Sequence, residues 1–187
     1  MAHIGVVNVA TMLSLFGWLA LLTNILTLVL AVVFVTRRPV MERFRKGVSA
    51  YAGWIMMTFT VSASLGSLYL SEIGELMPCK WCWYQRCAMY PLAIIFVVGV
   101  AKGDKEQSMR SYATPIAILG LMASIWHYLV QQVPALSDAE SCSLSTPCAI
   151  TYLEKFGFIS IPWMAGSVFL LTIVLLLGFC SPEGSTR

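Results

Sequence analysis

The chain has 187 residues, of which 58% are hydrophobic and 11% are charged, and its mean hydropathy is +0.79. Ordinary soluble domains are about 45–50% apolar and about 25% charged, so this composition excludes a water-soluble globular protein. Six cysteines are too few for a small disulfide-stapled domain. The net charge of +3 carries less information than the distribution of Lys and Arg along the chain. We therefore expect an all-α polytopic membrane protein.

Five apolar runs follow one another, and a helix needs about 20 residues to cross the hydrocarbon layer. They cover residues 12–35, 47–71, 87–101, 111–132 and about 159–180. A signal peptide is the alternative for the first run. That run is longer than a signal sequence core, and it ends in Thr36-Arg37-Arg38-Pro39, where a signal peptide has a small-residue cleavage site. The sequence therefore predicts five spans.

Individual residues refine these spans. The second run carries small residues that let membrane helices approach closely, namely Gly53, Ser62, Ala63, Gly66 and Ser67. The third run is short, so we expect its helix to begin near residues 81–84 and to be kinked at Pro91. Pro115 is expected in the first turn of the fourth helix, where its missing N–H costs nothing.

The basic residues predict the orientation. One face receives nine of the twelve, which are Arg37, Arg38, Arg43, Arg45, Lys46, Lys102, Lys105, Arg110 and Arg187. The other receives only Lys80, Arg86 and Lys155. The positive-inside rule then puts the amino terminus outside, the carboxyl terminus in the cytoplasm, and the two remaining connections outside. Topology alone explains the basic clusters, so no nucleic-acid role is expected.

A C-x-x-C motif, Cys79 to Cys82, stands in the first outer connection and leads directly into an apolar helix. A helix amino terminus and nearby cations such as Lys80 and Arg86 stabilise a thiolate, so we expect a depressed pKa for at least one of the two cysteines. A redox pair, half of a metal site and an inert structural bridge all remain open for such a motif.

A second cysteine pair, Cys142 and Cys148, lies in the second outer connection. Two pairs on one side of the membrane suggest a thiol relay, because thiol–disulfide exchange passes through a mixed disulfide. Binding of zinc by the four thiols is the alternative, but five residues separate the second pair and zinc knuckles use two to four. We expect no metal. Cys87 and Cys180 lie in apolar helices and are expected to be buried and structural.

Arg86 and His127 are ionisable residues that approach the outer half of the membrane from different spans. Such residues are costly at membrane depth and are by default candidates for function. The alternatives are that Arg86 reaches to the interface and that His127 hydrogen-bonds a neighbouring helix. We expect the two to share one pocket that binds a membrane-dissolved electron acceptor, with Arg as cationic donor and His as proton route.

The chain resembles the DsbB family of membrane thiol oxidases, and within it the BdbC-type members. The match consists of Cys79-Lys-Trp-Cys82-Trp-Tyr-Gln-Arg86, a following Met-Tyr-Pro, the Cys142/Cys148 loop, and a Phe-Gly-Phe-Ile-Ser-Ile-Pro run entering the last helix. The resemblance implies a four-helix bundle over residues 48–187. Residues 1–47 form an additional transmembrane helix and a cytoplasmic basic loop, and the role of this part stays open.

The resemblance also implies a function. A bacterial inner (cytoplasmic) membrane enzyme would re-oxidise a thioredoxin-like extracytoplasmic dithiol partner of the DsbA or BdbD kind and pass the electrons to quinone, either ubiquinone or menaquinone. By matching position, Cys142 receives the partner, Cys148 attacks the inner pair at Cys79, and Cys82 faces the quinone. Arg86 and His127 are the implied quinone-binding residues. This activity would support disulfide bond formation in exported proteins.

Two other functions are compatible with the same residues. The first is a different thiol relay, either of the vitamin K epoxide reductase type or one that exports reductant. A reductant exporter needs cysteines that are reachable from the cytoplasm. The other is a non-enzymatic metal-binding or structural membrane protein whose cysteines clamp the outer loops.

Overall fold

The computed structural model describes residues 9–36, 39–103, 106–136 and 157–179. Its five long helices are α1 (Val9–Val35), α2 (Pro39–Glu72), α3 (Lys80–Lys102), α4 (Glu106–Gln132) and α5 (Ile161–Gly178). All five are long and apolar enough to cross a membrane, judged by length and composition. The predicted all-α membrane architecture with five spans is confirmed.

Helices α2 and α4 begin well before the apolar runs that predict them. Helix α2 starts at Pro39, so residues 39–46 are helical and the predicted basic loop is short. Proline suits the first helical position because the N–H it lacks would have no partner there. Helix α4 starts at Glu106, which puts Pro115 in the helix interior. The expectation that Pro115 lies in the first turn is wrong, and its ring is instead exposed on the outer surface of α4.

The core has residues from all five helices, and it is mostly apolar, with a few buried polar side chains such as Thr60 and Thr172. Its most buried side chains include Leu92, Phe96, Ala113, Ala117, Phe169 and Leu175. A Cβ atom at Gly120 would overlap the Phe169 ring, so glycine permits the close approach of α4 to α5. Large apolar side chains such as Leu22 and Leu119 cover the outer faces of the bundle, as a lipid environment favours.

Helix α1 packs on the bundle, mainly against α5 and at fewer points against α2. The Ser167 hydroxyl donates a hydrogen bond to Asn24 Oδ1 at 3.0 Å, which joins α5 to α1. The Phe16 ring lies over Gly66 of α2, where an added Cβ would come within 3.0 Å of it. The additional helix is therefore an integral part of the fold.

Candidate active site

The C-x-x-C motif lies at the beginning of α3. Cys79 precedes the first helical residue and Cys82 lies in the first turn. Both are free cysteines, and the Cys79 thiol donates a hydrogen bond to the Cys82 sulfur with the two Sγ atoms 3.3 Å apart. The Leu76 amide bonds the Leu70 carbonyl at 3.0 Å, which folds the α2–α3 connection back onto α2. One helical turn thus brings two thiols within reach of a disulfide bond.

Cys79 is buried, and burial governs its chemistry. The hydrogen bond with Cys82 and the loss of solvent raise the pKa of Cys79 to about 11, while the contact with His127 acts in the opposite direction. Its side chain makes no capping hydrogen bond to the backbone of the first turn. Cys79 is therefore not the cysteine with the depressed pKa that the sequence predicts for at least one of the pair, and in the dithiol form it keeps its proton.

His127 lies beside Cys79, on the side of α3 that faces α4. Its side chain is 2% exposed. Its Nε2 atom is 3.5 Å from the Cys79 sulfur, and its Nδ1 atom is 3.2 Å from Nε2 of the Gln85 amide. The imidazole is thus placed for proton exchange with Cys79.

A cavity of about 350 Å³ opens on the opposite side of α3, between α1, α2 and α5. Helix α3 contributes Cys82, Gln85, Arg86, Met89 and Tyr90 to its wall. His127 does not line this cavity, so the expectation that it shares a pocket with Arg86 is wrong. The reason is that α4 packs on the far face of α3, and Gln85 and the Cys79–Cys82 pair lie between the two sides.

Arg86 is fixed on the cavity wall by α2. Its Nε–H donates to the Ser67 hydroxyl at 2.9 Å, and its Nη2 donates to the Ser67 carbonyl at 3.0 Å. The guanidinium also lies 5.2 Å from the centre of the Trp83 ring. A guanidinium carries five N–H donors, so this anchoring leaves donors for a ligand.

Tyr90 is a cavity residue that the sequence analysis missed. Its hydroxyl is buried and has no hydrogen-bond partner among the described residues, yet the side chain lines the cavity. Cys82, Arg86 and Tyr90 are spaced by four residues, and residues at that spacing share one helix face. The spacing was therefore the signal that could have found Tyr90.

The small residues of α2 have a second role besides helix packing. Gly53 approaches α3 closely, since a Cβ atom added there would lie 3.3 Å from the Val100 side chain, as predicted. Four others line the cavity, namely Ser62, Ala63, Gly66 and Ser67. Small side chains at these positions leave space in the wall of α2. Helix α1 closes the cavity with Phe16, Leu19, Ala20 and Thr23.

The other four cysteines lie outside this site or outside the described residues. Cys142, Cys148 and Cys180 lie outside the described residues. Cys87 is exposed on α3, so the expectation that it is buried is wrong. Cys87 provides a thiol one turn beyond Cys82 that takes no part in the site.

The family comparison agrees with the arrangement of the two thiols. A family model described as "Disulfide bond formation protein DsbB" matches residues 49–179. The chain belongs to the DsbB family. Membership gives this protein a role in disulfide bond formation, through thiol–disulfide exchange with a partner protein.

Three relatives give the extent of the similarity. Disulfide bond formation protein C of Bacillus subtilis is 43% identical over 126 residues, which are 67% of this chain and 88% of the relative. A probable disulfide formation protein of Oceanobacillus iheyensis is 44% identical over 126 residues, 65% of this chain and 83% of its own. Probable disulfide formation protein C 2 of Bacillus cereus is 42% identical over 136 residues, 73% and 93% respectively. No solved structure shows a significant match.

Proposed function

We propose that this DsbB-family protein re-oxidises a thioredoxin-like dithiol partner, of the DsbA or BdbD kind, and delivers the electrons to a membrane quinone. The observation that carries the proposal is the shared cavity, because Cys82, Arg86 and Tyr90 line one space within the span of α3. The quinone, either ubiquinone or menaquinone, can take up two electrons and two protons.

The residues of the cavity fit a quinone. Its walls are mostly apolar, which suits a ring with an isoprenoid tail. The polar groups are few, and two on α3 suit a carbonyl oxygen: the anchored Arg86 guanidinium, and Tyr90, whose hydroxyl has no partner among the described residues. Donors of this kind hold carbonyl oxygens and stabilise negative charge that develops on them.

The two thiols have different tasks in this proposal. Cys79 is buried against His127, keeps its proton in the dithiol form and is the sulfur attacked from the Cys142/Cys148 pair. Cys82 accepts the Cys79 hydrogen bond and lines the cavity, which places its sulfur beside the acceptor. Each cycle removes two electrons and two protons from the partner dithiol, and closing the Cys79–Cys82 disulfide releases the same number.

The membrane orientation is part of the proposal. The basic clusters favour a bacterial inner membrane protein with the amino terminus outside and the carboxyl terminus in the cytoplasm. Cys79 and Cys82 then lie at the outer end of α3, where an exported partner is accessible. A reductant exporter needs thiols at the other end, and among the described residues none of the cysteines lies there.

Replacement of Cys82 tests the proposal. We expect Cys82→Ser to abolish quinone reduction by the purified protein with dithiothreitol as donor, because no disulfide can form beside the cavity. The matched control is Cys87→Ser, one turn away on the same helix, which should retain the wild-type rate. Loss of absorbance of a short-chain ubiquinone or menaquinone measures the reaction. Wild-type turnover by Cys82→Ser would refute the role of Cys82, whereas no quinone reduction by the wild-type protein would favour a structural or metal-binding protein.

A further inference from the structure

Three potential metal ligands converge at the start of α3. The Sγ atoms of Cys79 and Cys82 and a ring nitrogen of His127 all lie within 4.8 Å of one another. The two sulfurs are 3.3 Å apart, and the Cys79 sulfur is 3.5 Å from His127 Nε2. We propose that these three residues bind one soft divalent cation, zinc, when the cysteine pair is reduced, and that the bound ion blocks electron transfer.

The distances suit a tetrahedral zinc ion. Zinc–sulfur bonds of about 2.3 Å and zinc–nitrogen bonds of about 2.0–2.1 Å place neighbouring ligand atoms roughly 3.5–3.8 Å apart. The distance from Cys79 Sγ to His127 Nε2 already lies in this range, and the Cys82 sulfur is within 4.8 Å of the ring nitrogen. The two sulfurs need to separate by about half an ångström. Thiolate and imidazole ligands also favour zinc, whereas ions such as magnesium prefer carboxylate ligands.

Gln85 supplies the outer contact that zinc-binding histidines usually have. Its amide lies 3.2 Å from His127 Nδ1. When Nε2 binds the ion, Nδ1 carries the proton, and a half-turn of the amide presents the Gln85 oxygen to accept it. Cys79 and His127 are almost fully buried on two packed helices, so the site needs little ordering on binding. Three protein ligands leave a fourth position open.

Metal binding and oxidation exclude one another in this site. Binding replaces the two thiol protons with Zn²⁺ and releases them, and no electrons move. The disulfide form has no thiolates to offer and does not bind the ion. Zinc therefore holds the cysteine pair in the reduced state, because each sulfur donates a lone pair to the ion. The blocking effect rests on the proposed function, whereas binding of the ion does not.

The experiment measures binding without any activity. Full-length protein is reduced with a phosphine and titrated with Zn²⁺ by calorimetry and with Cd²⁺, whose bonds to thiolates absorb in the ultraviolet. We expect one ion per reduced chain and none after oxidation. Cys79→Ser and Cys82→Ser should abolish the Cd²⁺ absorbance, and Gln85→Ala should weaken Zn²⁺ binding about tenfold or more. Cys87→Ser should leave binding unchanged.

A variant lacking both Cys142 and Cys148 separates this site from the outer loop. We expect it to bind one Zn²⁺ with wild-type affinity. Loss of binding in this variant, or wild-type affinity in Cys79→Ser or His127→Asn, would overturn the proposal. In the turnover assay, Zn²⁺ should stop quinone reduction by the wild type and a chelator should restore it. Binding without any quinone reduction would instead show that the site stands and the proposed function fails.

Discussion

Substitution of Arg86 by lysine tests the proposal that the cavity binds and stabilises an electron acceptor. The guanidinium uses two donors on Ser67, at 2.9 and 3.0 Å, and retains others for a ligand. A lysine ammonium is a compact charge on a flexible chain, so it hydrogen-bonds either Ser67 or the acceptor but not both. One hydrogen bond to a charged group is worth about 1.5–3 kcal/mol, which predicts a loss of about 10- to 150-fold in kcat/KM for quinone.

The assay is steady-state quinone reduction at fixed dithiothreitol, and the control removes a charge from the same helix. Lys102 lies 16 residues after Arg86 in α3, roughly 24 Å along the axis. Lys102→Gln should keep the wild-type kcat/KM. Ser67→Ala, which removes only the 2.9 Å bond, should give a smaller loss than Arg86→Lys. If Arg86→Lys stays within twofold of the wild type, the additional donors of the guanidinium play no part in acceptor binding.

Three further predictions concern other parts of the protein. In Cys148→Ser a partner adduct should accumulate on Cys142, seen as a band on non-reducing gels; its absence would reject Cys142 as the entry point. Phe16→Ala should raise the KM for quinone up to about tenfold with little change in kcat, because a ring is lost from the cavity wall; an unchanged KM would exclude α1 from the binding site. The third prediction is that the reduced protein loses thermal stability between about pH 9 and pH 11 relative to Cys79→Ser. The pKa of Cys79 is raised from 9.0 to about 11, so the stabilising effect of its protonated form is complete below pH 9 and disappears above pH 11. Identical melting curves for the two proteins across this range would contradict it.

The spans and the redox motif could be predicted because both are local properties of the sequence. Uninterrupted apolar stretches mark the helices, and two cysteines three residues apart must lie on one turn. Helix ends were less predictable, as Pro39 and Pro115 illustrate. Proline is acceptable at a first position and inside a membrane helix, so its presence does not by itself decide where a helix begins.

The surroundings of the cysteines depend on which helix faces pack against each other, and a single sequence does not show this packing. Arg86 and His127 approach the same pair from opposite sides of α3, although the sequence suggested one pocket. The pKa of Cys79 follows the same logic. A helix amino terminus favours a thiolate, but burial and a thiol neighbour favour the protonated form, and only the packing shows that the second effect is larger.

Helix α1 shows that the region matched by the family model contains only part of this site. The family model begins at residue 49, yet Phe16, Leu19, Ala20 and Thr23 of α1 line the same cavity as Cys82. One wall therefore lies outside the part of the chain that defines the family. The cysteines and Arg86 come from the matched region, whereas the shape of the cavity depends partly on residues outside it. If the cavity binds the proposed quinone, replacing the α1 side chains that line it should change KM without changing the chemical step.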